Sequence, residues 1–282
     1  MKGVILAGGS GTRLSPVTRC INKHLLPVYD RPMIVLAIEA LATIGLVDLV
    51  IVTAASQVES FRHMLDDGGD YGARSLTFAG QPEPGGVADA LRYARPHAEG
   101  QQLCVLLGDN IFGDALTAPA AAFAKQQGGA RLLLKSVDCP QDFGVAEMRD
   151  GCIVALHEKP AAYVGSSAVV GAYFYDADVF EHCDRLTPGP RGEVEITDLN
   201  RCYLQQGNLE YDHLVGWWTD AGTFASLHHA GELVRDRGVN GRPPTSPTSA
   251  PTSAPTLPSA SATSQTPQAP GPRNLNSLGG RP

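Results

Sequence analysis

The chain has 282 residues, 43% of them apolar, and a formal net charge of −7. That length suffices for one large domain or two modest ones. The acidic balance excludes general affinity for nucleic acid, which needs a basic surface, and no run approaches the eighteen apolar residues of a membrane span.

The N-terminus carries Lys2 and only a short apolar run before Gly8 and Gly9. A secretory signal needs a longer apolar segment and a cleavage site, so a cytoplasmic protein is expected. That first run, GVILA (3–7), opens a series of apolar stretches: LVDLVIVT (46–53), LCVLLGD (103–109), ARLLLKSV (130–137) and AVVGAYFY (168–175). They are continuous rather than alternating, as in strands buried on both faces. Helical patterns lie between the early ones. PMIVLAIEALATIG (32–45) begins with Pro and ends at a Gly, and VADALRYA and LTAPAAAFAKQQGG read as helices too. Strand alternating with helix over the first 135 residues predicts an α/β fold, a three-layer, doubly wound, mostly parallel sheet. GVAEMRDGCIVALHEKP (144–160) reads instead as a hairpin turning at Asp150-Gly151. The second half therefore adds antiparallel pieces.

Composition changes near residue 239. The last 44 residues hold ten of the 21 prolines and contain no aromatic and no acidic residue. Such a segment buries too little apolar surface to offset its ordering entropy. The expectation is a folded part over 1–238 and a disordered Pro/Ser/Thr-rich tail over 239–282 with polyproline II tendency. The six cysteines (Cys20, Cys104, Cys139, Cys152, Cys183 and Cys202) form no CxxC pair, and no His cluster has zinc spacing. They read as reduced structural residues.

In an open parallel sheet, ligands gather at the carboxyl ends of the strands. The polar residues directly after the apolar stretches are therefore the candidates: Gly8 to Arg13, Gln81, Asp109 and Asn110, and Glu158 and Lys159. The loop LAGGSGTRL (6–14) fails two common nucleotide fingerprints. A P-loop from Gly8 would need Gly and Lys where Arg13 and Leu14 stand, and a dinucleotide loop from Gly9 would need Gly at Leu14. What remains is three glycines, the Thr12 hydroxyl and the Arg13 guanidinium. Backbone N–H groups there could cradle phosphate oxygens, with Arg13 adding a bidentate partner. Equally, the glycines could serve only a turn with positive φ. Lys23, ten residues on, would make a second cation beside the first.

LAGGSGTRL followed by NKHLLPVYDRPM (22–33) resembles the start of the sugar nucleotidyltransferases, specifically the glucose-1-phosphate thymidylyltransferases. QPEPGGVADAL (81–91), LGDNIF (107–112), EKP (158–160), GEVEITDLN (192–200) and GWWTDAGT (216–223) continue the resemblance in order, over essentially all of residues 1–225. It implies transfer of a thymidylyl group from dTTP to α-D-glucose 1-phosphate, giving dTDP-glucose and pyrophosphate. Such chemistry is catalysed by positioning and charge neutralisation, without an enzyme nucleophile.

By that resemblance Leu6, Gly8, Gly9, Gly11, Thr12, Arg13, Gln81, Gly86 and Asp109 bind the nucleotide. Gln81 and the Gly86 backbone would lie at the base. Arg13, Lys23 and Lys159 would be catalytic, Arg13 against the leaving pyrophosphate. Gly144, Glu158, Lys159, Val169 and Arg191 would take the sugar phosphate. Asp109 and Asp220 would hold Mg²⁺. Three positions depart from the usual pattern: His24 where Gln is common, Phe143 for Tyr, and Val170 for Thr. The resemblance also implies a homo-oligomer, dimer or tetramer, although the tail replaces most of the C-terminal helices that build the family's effector site. The same residues leave open UTP as donor, another sugar or cyclitol 1-phosphate as acceptor, and a non-catalytic nucleotide-sugar sensor on the same fold.

Overall fold

The chain runs β1 (Lys2–Ala7), β2 (Pro27–Val28), β3 (Arg31–Pro32), α1 (Met33–Thr43), β4 (Asp48–Ala54), α2 (Val58–Leu65), β5 (Ser75–Gln81), α3 (Val87–Arg92), α4 (Arg95–Ala98), β6 (Leu103–Leu107) and β7 (Asn110–Phe112). It continues with α5 (Thr117–Phe123), β8 (Ala130–Ser136), β9 (Gly144–Arg149), β10 (Cys152–Glu158), β11 (Ser167–Tyr175), α6 (Val179–Arg185), α7 (Ile196–Gln205), β12 (Leu209–His213), β13 (Trp218–Asp220) and α8 (Phe224–Arg237). This is a computed structural model describing residues 1–189 and 191–244.

The apolar stretches are strands buried on both faces. Along β1, Val4 and Leu6 join one core and Ile5 and Ala7 the other, as a period of two requires. β1 lies between β4 and β6, parallel to both, and β4 pairs in parallel with β5. One core packs the sheet on α3, α6 and α7 through Leu91, Val179 and Leu199. The other packs it on α1 through Ile34, Ile38 and Leu41. Every residue of α1 from Met33 to Leu41 is buried. A helix apolar all round belongs inside, and each large aliphatic side chain buried there contributes about 1.5–3 kcal/mol. Pro32 is its N-cap. Gly45, at φ +80, follows its last turn, where the Leu46 N–H reaches back to the Leu41 carbonyl.

The antiparallel part begins at β11, which lies between β6 and β8 over residues 173–175, and pairs again with β8 over 167–169 and with β9 at Ala168. β9 and β10 form the expected hairpin, with Arg149 opposite Cys152. Asp150 and Gly151 both have positive φ (50° and 77°), as the tight hairpin turn demands. The register of β11 against β8 breaks between Val169 and Tyr173. Gly171 lies in that break, and a methyl there would stand 2.6 Å from the Asn110 amide. Packing of the Asn110 side chain against the strand thus requires glycine.

The expected boundary at 238 falls short of the packed chain. Val239 and Asn240 are buried. The Asn240 N–H donates to the Phe112 carbonyl (2.8 Å) and its side-chain Nδ2 to the Leu36 carbonyl (2.9 Å). These contacts tie 239–241 to β7 and α1. The rest of the expected tail, from 245 on, lies outside the described residues. Among the described residues, no helix is long and apolar enough to cross a membrane.

Candidate active site

The carboxyl ends of β1 and β6 lie side by side in the parallel sheet, with that of β5 beyond β4 on the same side. At the end of β1 the loop turns through Gly11 (φ +64), where a side chain would strike Thr18 and Lys23. A methyl on Gly9 would likewise stand 3.2 Å from Lys23 Cε. The glycines therefore let the loop lie directly on the Lys23 side chain, whichever ligand it holds.

Lys23 Nζ donates to Asp109 Oδ2 at 2.5 Å, with both side chains largely buried. Asn110 Nδ2 donates to the other oxygen, Oδ1, at 2.9 Å. Burial alone would push the Asp109 carboxyl up. The charge of Lys23 and the hydrogen bonds from Lys23 and Asn110 outweigh it and hold the group well below the usual carboxylate range. His24 is buried beside them, with Nδ1 2.8 Å from Asn22 Oδ1. Desolvation and Lys23 push its imidazole down to about 3, so it is neutral and packs against Gly108.

Asp220 comes from 111 positions after Asp109 in the sequence. Pairing of β13 with β7 sets Asp220 opposite Asn110, and the Ala221 N–H donates to the Asp109 carbonyl at 2.8 Å. Burial and the neighbouring Asp109 charge raise the Asp220 carboxyl, with Arg13 opposing. Arg13 Nη2 is only 4.0 Å from Asp220 Oδ2, and its side chain is 61% exposed. It reaches there across Gly222, where a methyl would stand 2.6 Å from Nη2. Arg13 is thus an exposed cation loosely tethered over two acids.

Beside these groups lies a cavity of about 200 Å³. It gathers Arg13, Asp109 and Asp220 with all five residues expected for the sugar phosphate: Gly144, Glu158, Lys159, Val169 and Arg191. Glu158 Oε2 accepts from Thr197 Oγ1 at 2.5 Å and Oε1 from Arg191 Nη2 at 3.0 Å. Arg191 also donates to Glu195 at 2.7 Å. Desolvation works against the Arg191 charge, yet the hydrogen bonds to Glu195 and Glu158 raise its pKa further. Lys159 holds φ +43, an uncommon conformation for a lysine, with its N–H on the Phe143 carbonyl.

Gln81 ends β5 next to the glycine loop, its Oε1 2.9 Å from where a Gly8 side chain would begin. Leu6 is a strand residue in the core, its carbonyl accepting from the Gly108 N–H. Gly86 meets a constraint within the chain besides the place expected for it at the base. At φ +99 its missing side chain points onto the Val194 backbone, 2.5 Å from the carbonyl oxygen. Its smallness admits a neighbouring segment of this chain. Phe143 stacks edge-on with Trp218, and Val170 is fully buried in the core.

Sequence placed Asn110 among the candidates without a role, and gave none to several of its neighbours. Trp218 Nε1 and the Gly171 N–H both donate to Asn110 Oδ1 at 2.8 Å, so Asn110 is the hub that joins β7, β11 and β13. Thr197, Gly222 and Tyr173 also adjoin the charged groups. The signal for two of them was present in GEVEITD and WWTDAGT, but only the fold shows what they touch.

Residues 2–237 match the nucleotidyl transferase family. The chain is 43% identical over 239 residues to a glucose-1-phosphate thymidylyltransferase of Neisseria meningitidis, covering 83% of each. It is 41% identical to one of Mycolicibacterium smegmatis, covering 83% of this chain and 82% of that one. A crystal structure from Bacillus anthracis in complex with sucrose, provisionally assigned as a glucose-1-phosphate thymidylyltransferase, superposes with a TM-score of 0.80 at 44% identity. The match covers 84% of this chain and 96% of that one. A UDP-glucose pyrophosphorylase complexed with UDP-glucose shares the fold at a TM-score of 0.74 and 23% identity, over 82% and 97% of the two chains. The chain belongs to the nucleotidyl transferase family.

Proposed function

We propose that the protein transfers a thymidylyl group from dTTP to α-D-glucose 1-phosphate, producing dTDP-glucose and pyrophosphate. One observation carries this reading: two sets of charged groups face a single cleft. Arg13, Asp109 and Asp220 line one part of the cavity, with Lys23 bonded to Asp109, and Glu158, Lys159 and Arg191 line another. The first set suits a triphosphate and the second a hydroxylated ring bearing a phosphate. The names of the relatives supply the base and the sugar.

In this reading a phosphate oxygen of the sugar phosphate attacks the α-phosphorus of dTTP. The new P–O bond forms as the bond to the β-phosphate oxygen breaks, and that electron pair leaves with pyrophosphate. The glycine-loop N–H groups, Gly8, Gly9 and Gly11, and the Thr12 hydroxyl receive the triphosphate. Arg13 neutralises charge growing on the leaving group, and Lys23 assists from its place beneath the loop. Gln81 meets the base. Glu158, held by Thr197, accepts from glucose hydroxyls. Lys159 and Arg191 receive the sugar phosphate, a bidentate partner for Arg191 in place of its carboxylates.

Asp109 and Asp220 suit Mg²⁺, which takes hard oxygen ligands. The raised Asp220 carboxyl, facing Asp109 with Arg13 only 4.0 Å off, is a site short of positive charge. Among the described residues no three His, Cys, Asp or Glu side chains could hold a metal alone, so phosphate oxygens and water must complete the shell. When bound, the ion supplies charge neutralisation at the transferred phosphate.

We place the reaction in the cytoplasm, where the six unpaired cysteines stay reduced, and in a homo-oligomer, by the resemblance to the family. The test of function is pyrophosphate release with glucose 1-phosphate and each of dTTP, UTP, dCTP, ATP and GTP. The expected order puts dTTP first, with UTP about tenfold lower, because one methyl is worth ~1–3 kcal/mol in a pocket. Preference for ATP or GTP would overturn the proposal; preference for UTP would move it to uridylyl transfer.

A further inference from the structure

Gln81 is 4% exposed, so its amide cannot turn freely in solvent. Its Nε2 donates to Asp89 Oδ2 at 2.7 Å. Asp89 belongs to the first turn of α3, and its other oxygen accepts from Arg92 Nη1 at 3.2 Å. Arg92 is fixed in turn by the end of α6, donating to the carbonyls of Cys183 and of Leu186, the latter at 3.0 Å. A carboxylate accepts hydrogen bonds and cannot donate them. Asp89 therefore compels Gln81 to point its NH₂ group inward. The Gln81 carbonyl oxygen is left directed at Gly8 in the glycine loop, and among the described residues it accepts no hydrogen bond.

We infer that Asp89, anchored by Arg92, is a positioning residue that makes Gln81 present an acceptor to the nucleobase. This rests on the proposed place of the base at Gln81. An acceptor selects bases whose edge offers a ring N–H, as thymine and uracil do at N3. Cytosine offers a lone pair there, so two acceptors would meet. The chain α6–Arg92–Asp89–Gln81 thus writes a base preference into a side chain that by itself could face either way.

Asp89→Asn is a sharp test because it keeps size and reverses polarity. Arg92 still demands an oxygen, so the new amide turns its NH₂ group to Gln81. Gln81 must then reverse and offer its own NH₂ to the base. The kcat/KM values for dTTP and dCTP, with glucose 1-phosphate, are to be measured for wild type and variant, with nucleotide Kd by calorimetry beside them. The dTTP:dCTP ratio is expected to fall about ten- to a hundredfold, with dCTP itself improving. An unchanged ratio, or parallel losses on both nucleotides, would overturn the inference. Should Asp89→Asn fail to fold, Asp89→Ala takes its place: it frees the Gln81 amide, so the ratio must still fall, and constancy would overturn the inference. A wild type without turnover on dTTP defeats the proposed function separately. The Kd ratio in the same two proteins then decides the role of Asp89.

Discussion

At the scale of single residues, the site depends on opposite charges buried together. Lys23 and Asp109 are 12% and 14% exposed and 2.5 Å apart, and removing one partner of such a pair leaves the other charge stranded. Asp109→Asn keeps the shape and removes the charge. It is expected to lower turnover by about 10²–10³-fold while far-UV circular dichroism stays native, although the melting temperature falls. Unchanged turnover in the folded variant would remove Asp109 from the mechanism. Retained nucleotide binding with lost turnover separates a catalyst from a sensor of the same ligand. Asp109 was legible in sequence, because an acid directly after an apolar strand is conspicuous, whereas Lys23 was given its role only by the resemblance. Gly86 was not legible as a packing position. Its glycine answers to the backbone of Val194, more than a hundred residues away, and no local pattern carries that contact.

Elements were legible where burial alone decided them. The strands β1, β4, β6 and β11 are apolar because both faces are covered, and the hairpin follows from the backbone needs of Asp150-Gly151. β5 escaped notice as a strand because it borders the parallel sheet and is only half-buried through Leu76 to Phe78. β7 and β13 are three residues each, too short for periodicity to register. Yet their pairing carries Asp220 to Asp109. Helix α1 offers a test at this scale. Its buried Glu39 receives Arg31 Nη1 at 3.0 Å, with Arg242 at 3.5 Å. Burial raises the Glu39 carboxyl, and Arg31 offsets part of that. A raised carboxyl pKa stabilises the fold when protonated, and that contribution is lost as pH rises through the folded value. Arg31→Ala is therefore expected to cost about 2–3 kcal/mol at about pH 7.5, where the carboxylate is charged. The cost should be smaller at an acidic pH, where a protonated Glu39 needs no counter-ion. Urea unfolding at both pH values measures this, and a larger cost in acid would contradict it.

At the scale of the whole molecule, the boundary expected at 238 leaves out residues that pack on the rest of the chain. Val239 and Asn240, which precede the first proline of the Pro/Ser/Thr-rich segment, still fasten to Phe112 and Leu36. A chain ending at 244 is expected to melt like the full chain. One ending at 238 should lose about 2–3 kcal/mol from one buried valine and two or three hydrogen bonds; equal melting temperatures would place the boundary at 238 after all. The three-layer α/β arrangement was legible from strand–helix alternation. The cavity was not, because it forms where β11 breaks register and β9, β10 and β13 converge from distant stretches. The reaction itself is tested most directly by phosphorus NMR of the purified full-length protein with dTTP, glucose 1-phosphate and Mg²⁺. The expected result is loss of the triphosphate signals in step with growth of a dTDP-glucose diphosphate pair and one equivalent of pyrophosphate. An unchanged triphosphate, or pyrophosphate accompanied by thymidine monophosphate and intact glucose 1-phosphate, would contradict thymidylyl transfer.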